Sequence, residues 1–204
     1  ASAAGVVRFV NNNTQDNNEV GFKGIFNGRG HIISNLTTAA TAYNGLGGLF
    51  GMLQKGSAVK NVAFTNVSMN SEYKYVLSGE SRPFYGTIDN VVITAADGIT
   101  LDRVVAKLSG GTMKNCLFVG FAMINTDTGV TEISNIMSVT VYTRYGGFNW
   151  TGNSTYDAQP NYADVNTMLA ALETENKLQN WGDITYKDGA IYFGNSIVIQ
   201  NTAD

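Results

Sequence analysis

Apolar and polar residues alternate in short runs between residues 20 and 145, and five of these runs share one pattern. Each has an asparagine with an apolar residue two positions before it and another one position after it, as in the stretch AVKNVAF. Period-two alternation is typical of β-strands, and a repeat of this length indicates a solenoid or a propeller. The five asparagines lie at spacings of 26, 29, 25 and 20 residues: Asn35, Asn61, Asn90, Asn115 and Asn135.

The repeats predict an all-β fold, a parallel β-helix in which each repeat adds one turn. Equivalent side chains would then stack at the strand spacing of about 4.8 Å, with the apolar residues inside and the five asparagines in one ladder. Asparagine suits such a column because it tolerates a left-handed backbone and because its amide can hydrogen-bond to the next one. A four-bladed propeller is the alternative. The uneven spacing favours the coil, since loops absorb differences in length that a closed ring does not.

The pattern changes near residue 145, which divides the chain into β-helix repeats over 1–145 and a small C-terminal cap over 146–204. Residues 164–180 predict one helix, with Asp164 as its N-cap and an apolar stripe that begins at Met168. Three short strands follow, separated by turns at 188–189 and 194–195. We expect this unit to close the open edge at the end of the coil and residues 1–20 to cover the other end.

Charge and composition exclude several classes of function. Only 14% of the residues are charged and the net charge is −3, which disfavours nucleic acid as a partner. No apolar run approaches the roughly 18 residues of a membrane span, so we expect no membrane insertion. Cys116 and His31 are the only residues of their types, and Asp16 and Glu19 lack the spacing of a calcium loop. We therefore expect no metal and no cofactor. The glycine cluster over 24–30 leads into a strand, so it does not predict a phosphate loop.

Three stretches within residues 22–69 match a known pattern. GIFNGRGHIISNL is followed by GGLFG and then by AVKNV, and this order resembles the GLUG-type repeat of bacterial and phage surface proteins. The likeness weakens over 84–137. The resemblance implies a right-handed parallel β-helix on an extracellular surface, a cell surface or a virion, with adhesive or carbohydrate-linked roles. It implies no catalytic residues, and we assign none.

Aromatic residues give the best indication of a binding site. Flat rings with polar edges suit the faces of sugars, and such residues are concentrated just before the predicted helix. We therefore predict a surface polysaccharide or other glycan as the partner. The alternative is that these rings pack the last repeat against the cap. The candidate glycan-binding residues are Tyr142, Tyr145, Phe148, Trp150 and Tyr156.

Two other functions stay open at this level. Parallel β-helices also carry polysaccharide lyases and hydrolases, in which a pair of carboxylates performs the chemistry. Glu80 and Asp89 are the pair that a loop could bring together. The third possibility is a structural component of a virion or fibre, and a homo-oligomer such as a trimer would fit its low charge.

Overall fold

The computed structural model describes residues 22–38, 48–50, 53–70, 74–78, 83–105, 107–108, 110–127, 132–142, 147–149, 154–175 and 178–201. The predicted strand and polar loop over 1–20, with Asp16 and Glu19, lie outside these residues. The strands are β1 (Ile25–Ser34), β2 (Thr37–Thr38), β3 (Ala58–Met69), β4 (Pro83–Phe84), β5 (Thr87–Ala95), β6 (Lys107–Leu108), β7 (Thr112–Phe121), β8 (Asn125–Asp127), β9 (Glu132–Thr140), β10 (Phe148–Asn149), β11 (Asn161–Tyr162), β12 (Ile184–Lys187), β13 (Ala190–Phe193) and β14 (Ser196–Gln200). The helices are α1 (Ser154–Asp157) and α2 (Val165–Glu175).

The strands form three sheets. Six parallel strands make the main sheet in the order β1-β3-β5-β7-β9-β11, and β2 pairs with the end of β3. A second parallel sheet has the order β10-β8-β6-β4, and β12, β13 and β14 form an antiparallel sheet. From β3 to β10 the chain alternates between the two parallel sheets. The predicted β-rich fold with in-register repeats is thus confirmed.

The apolar positions of the repeats stack into columns that fill one core. The residues two before and one after each asparagine both point into it, although they are three positions apart. The first column is Val59, Ile88, Met113 and Ile133, and the second is Val62, Val91, Cys116 and Ile136. A strand that alternates regularly would send two such residues to opposite faces. The asparagine between them must therefore turn the strand.

Backbone geometry accounts for this turn. Asn61, Asn90, Asn115 and Asn135 all have a left-handed backbone, with φ between 52° and 56°. Asparagine adopts this conformation more easily than most residues. The prediction that these four asparagines form a ladder is therefore confirmed in position and in backbone.

The prediction for Asn35 is wrong. Asn35 has a left-handed backbone too, but it accepts a hydrogen bond from the side chain of Asn66. In the register of β1 and β3, Asn27 lies opposite Lys60 and His31 lies opposite Val62. Three residues of β1, 28–30, thus face the single position of Asn61, and this bulge shifts Asn35 out of the ladder.

The C-terminal unit lies over the outer surface of the main sheet, and not only at its end as predicted. A third column of side chains points away from the main core and joins a second cluster with α2 and the antiparallel sheet. This column, here called the covered column, is Ile32, Ala63, Val92, Leu117 and Met137. The physical reason is hydrophobic, since an apolar column on an outer surface needs a partner.

The helix and the three strands predicted for this unit are present, but α2 ends at Glu175 and not at residue 180, and the short helix α1 was not predicted. Asp164 caps α2 by accepting a hydrogen bond from the Thr167 N–H at 2.7 Å, and Met168, Leu169 and Leu172 are buried. The turns at 188–189 and 194–195 join the three strands.

The segment that contains β11 pairs with the outer edge of β9, the last long strand of the main sheet. The Ile136 N–H donates to the side-chain oxygen of Gln159 at 2.7 Å, and the Ser138 N–H donates to the Pro160 carbonyl at 3.0 Å. The Ser138 hydroxyl donates to Asn161 at 2.6 Å. A serine with a polar partner thus takes the place that Ile93 and Phe118 occupy in earlier repeats, so this column of the core ends in a polar residue.

Candidate functional site

The predicted aromatic residues are divided between surface, core and parts of the chain that are not described. Tyr142 is half-buried. Phe148 lies in β10, where its backbone pairs with Asn125, but its side chain is not described. Tyr145 and Trp150 lie outside the described residues. Tyr156 is fully buried in the main core, so its ring packs the interior and does not stand at a surface.

The segment that carries Tyr142 is held by backbone hydrogen bonds at both ends. The Val141 N–H donates to Phe121 and the Tyr142 N–H donates to Ala122, at 3.0 and 2.8 Å. On the far side, the Gly147 carbonyl accepts a hydrogen bond from Ile124 at 2.8 Å. Residues 141–142 and 147 are therefore held against residues 121–124, between β7 and β8. Loops anchored on a rigid scaffold commonly carry binding residues.

A second group of aromatic residues lies in the longest repeat, namely Tyr73, Tyr75, Phe84 and Tyr85, and its described members belong largely to the interior. Phe84 is fully buried and Tyr75 is 3% exposed. The guanidinium of Arg103 lies 5.2 Å from the centre of the Tyr75 ring and donates to its hydroxyl at 3.2 Å. Among the described members of this group, only Tyr85 is half-buried.

Asp89 has structural partners. One of its carboxylate oxygens accepts a hydrogen bond from Asn115 at 3.0 Å, and the other lies 3.5 Å from the Lys114 ammonium. Glu80, the other half of the candidate catalytic pair, lies outside the described residues. The contacts of Asp89 are those of a carboxylate that joins two neighbouring strands.

Hydrogen bonds between side chains link the asparagines of the ladder, except that Asn115 bonds to Asp89 and not to Asn90. The amide of Asn61 donates to Asn27 at 3.1 Å, and the amide of Asn90 donates to Asn61 at 3.1 Å. The amide of Asn115 donates to Asp89, and that of Asn135 donates to Asn115 at 2.9 Å. On each of β3, β5, β7 and β9, the side-chain amide of one asparagine is thus held by a hydrogen bond to the neighbouring strand.

Asp183 from the C-terminal unit enters the ladder at Asn90. The Asn90 amide donates to the Asp183 carboxylate at 2.8 Å, and the Asp183 N–H donates back to Asn90 at 3.1 Å. Gly182 makes this approach possible, because a Cβ there would lie 2.8 Å from the Asn90 side chain. Sequence reasoning missed Asp183, and 93 residues separate it from Asn90. A local pattern does not reveal such a contact.

Cys116, the single cysteine of the chain, lies in the main core. Burial in the core raises the pKa of the Cys116 thiol far above its ordinary range, as expected for an unreactive structural cysteine. Within the described part of the chain, no three His, Cys, Asp or Glu residues gather as metal ligands. Neither described helix has the length and hydropathy that a membrane span requires.

Comparison of the chain with family models, with curated proteins and with solved structures finds no match. The likeness to GLUG-type repeats thus stays a prediction from the motifs.

Proposed function

We propose that the chain is a non-catalytic extracellular module, a right-handed parallel β-helix that recognises a glycan or mediates adhesion on a bacterial surface or a phage tail. The coil is supported by the alternation of the chain between two parallel sheets. Each return runs in the same direction, and connections of this kind between parallel strands are right-handed in about 98% of cases. The GLUG-like motifs support the extracellular setting.

One observation supports the binding function, namely that residues 141–142 and 147 are held against residues 121–124. The backbone bonds at Val141, Tyr142 and Gly147 fix both ends of an aromatic-rich segment. Val141 is 77% exposed at its start, so this segment begins at the surface. Residues that are held at such fixed ends lose less conformational freedom on binding than freely moving ones do.

The catalytic alternative is less well supported. Its described carboxylate, Asp89, is engaged by Lys114 and Asn115. A retaining or inverting glycosidase needs one carboxyl group that can donate a proton and another that acts as nucleophile or base. Asp89 instead serves the contact between β5 and β7.

A glycan array tests the proposal. The variants Tyr142→Ala, Tyr145→Ala and Trp150→Ala should lose signal while their melting temperatures stay close to that of the wild type. Tyr192→Ala is the matched control, since Tyr192 is a half-buried tyrosine on β13, and it should keep the signal. Retained binding in all three loop variants would overturn the assignment, as would unfolding of these variants, which would make the rings core residues.

A further inference from the structure

The main core is covered at one end and less covered at the other. Ile133, on the last long strand, is 3% exposed, and the segment that contains β11 pairs with that strand. Phe26 and Ile33, on the first strand β1, are half-buried. The residues opposite them on β3, Val59 and Phe64, are at most 2% exposed. Among the described residues, no strand pairs with the outer edge of β1.

Aromatic rings lie at this end of the core. The ring of Phe50 lies 5.0 Å from that of Phe22 and 5.4 Å from that of Phe26, and Phe22 and Phe26 are half-buried. We call the outer edge of β1, together with Phe22, Phe26 and Ile33, the open end. An edge strand offers N–H and C=O groups to another strand, and covering apolar side chains is favourable. The open end therefore fits an added strand that carries apolar side chains on one face.

The charge at the open end limits which strand can be added. Between residues 20 and 71 the chain has four Lys or Arg residues and no Asp or Glu. The four are Lys23, Arg29, Lys55 and Lys60, and the first three are exposed. A second copy docked end to end would bring these like charges together, which is unfavourable. Charge complementarity instead favours a segment that carries acidic residues.

The chain has such a segment directly before the open end, in residues that lie outside the described part. Val7 and Phe9 are two positions apart, so in a strand they would point to the same face. Asp16 and Glu19 are the only charged residues between Phe9 and Phe22. This stretch combines an apolar pair with acidic residues, which matches the apolar and basic character of the open end.

The connecting chain has the length that one turn of the coil needs. Phe9 precedes Ile33 by 24 residues, and the asparagines of the repeats have spacings of 20 to 29 residues. Residues 11–24 would link the added strand to β1. These 14 residues exceed the 10 residues, 122–131, that link β7 to β9. The segment can therefore reach the outer edge of β1 and run in the same direction as the later strands.

We propose that residues 6–10 add to the outer edge of β1 as a parallel strand. Val7 and Phe9 pack on the apolar side chains of the open end. Asp16 and Glu19, in the connection, lie near its basic residues. The added strand covers the first repeat as β11 covers the last one, and it keeps the edge of β1 from pairing with another chain. The inference does not depend on the proposed glycan recognition.

Hydrogen exchange of the full chain, followed by nuclear magnetic resonance, tests this inference. The N–H groups of β1 that point away from β3 should exchange about tenfold or more slowly in the wild type than in Phe9→Asp, which puts a charge on the apolar face. The N–H groups of β7 should stay protected in both proteins and report that the coil is folded. Asn13→Asp adds the same charge outside the proposed strand, and this matched control should exchange as the wild type does.

A spin label gives a second measurement that does not require a destabilised variant. Arg8→Cys places the label on the proposed strand, on the face opposite to Val7 and Phe9. Cys116 should not take up the label, because it is fully buried. The amide signals of β1 should be broadened most, and the effect should decline strand by strand towards β9, since neighbouring strands lie about 4.8 Å apart. Reduction of the label with ascorbate is the control and should restore the signals.

Three results would overturn the inference. The first is fast exchange of the outward N–H groups of β1 in the wild type. The second is a label that broadens another part of the protein more than β1. The third is slow exchange that Phe9→Asp leaves unchanged, and a dimer in light scattering would then assign the edge to a second copy. If Phe9→Asp unfolds the whole chain, the protection of β7 is lost as well, and the spin label decides.

Discussion

Replacing Asn115 separates the two roles that a ladder asparagine combines. Its backbone is left-handed, with φ 53°, and its side chain joins Asp89 on one side to Asn135 on the other. Asn115→Gly keeps a residue that adopts the left-handed conformation without strain but removes both hydrogen bonds. Asn115→Ala removes the same bonds and also places an alanine in that conformation.

The two variants should differ by the strain in alanine less the extra conformational entropy that glycine loses on folding. Each hydrogen bond contributes about 1 kcal/mol, so Asn115→Gly should lower the free energy of unfolding by about 2 kcal/mol. The left-handed conformation costs an ordinary residue up to about 2 kcal/mol, and glycine loses about 1 kcal/mol more than alanine in entropy. Asn115→Ala should therefore lose about 1 kcal/mol more than Asn115→Gly, or about 3 kcal/mol. For a chain of this size, about 1 kcal/mol corresponds to about 3 °C in melting temperature.

Urea unfolding followed by circular dichroism measures these differences. Asn195→Ala is the control, because Asn195 is exposed in a turn and is not among the residues with positive φ. It should change stability by less than about 0.5 kcal/mol. Equal stability of the alanine and glycine variants would refute the reasoning about the backbone. Wild-type stability in both would refute the reasoning about the ladder.

Three further predictions follow from single residues. Gly111→Ala should destabilise the protein by about 1–3 kcal/mol in the same assay, because its Cβ would lie 2.5 Å from the Gly86 carbonyl oxygen and the backbone would have to shift; an unchanged midpoint would contradict the tight packing of these strands. Cys116 should not react with a thiol reagent at neutral pH until the protein unfolds, because it is fully buried and its pKa is raised; reaction faster than unfolding would contradict this burial. The Thr167 N–H lowers the pKa of Asp164, so the cap stabilises α2 fully above about pH 4 and this contribution is lost as the pH falls towards the lowered pKa. Asp164→Asn should flatten that part of a melting-temperature profile, and a profile identical to the wild type would refute the role of the charge.

The repeats could be predicted because they depend on local chemistry. Alternation reports which side chains face the core, and asparagine reports where a left-handed residue is tolerated. These two signals located Asn61, Asn90, Asn115 and Asn135 correctly. The prediction for Asn35 failed because the apolar residues beside it fit the same pattern, although Asn35 lies outside the ladder. The bulge over 28–30 that removes it from the ladder is set by pairing with β3 and not by its own neighbours.

The position of the C-terminal unit could not be predicted from its own residues. Its helix and turns are local features, and they were found. Its contact with the sheet depends on the outer surface of strands far away in the sequence. A signal was nevertheless present, since runs such as Val62–Phe64 are apolar at consecutive positions, and such runs are typical of strands buried on both faces. The candidate site was predictable only as a region rich in aromatic residues. Which rings enter the core, as Tyr156 does, is decided by tertiary packing.

The covered column ties the number of repeats to the size of the C-terminal unit. Repeat proteins usually gain or lose whole units, because each unit contacts only its neighbours. Here β1, β3 and β5 each contribute one residue to the cluster formed with α2 and the antiparallel sheet, and β7 and β9 each contribute two. A duplicated repeat would expose an apolar side chain, and a deleted one would leave part of the unit without a surface to pack on. The size of the C-terminal unit therefore limits the number of repeats. The array can lengthen, in evolution or by design, only if the C-terminal unit that packs on it lengthens as well.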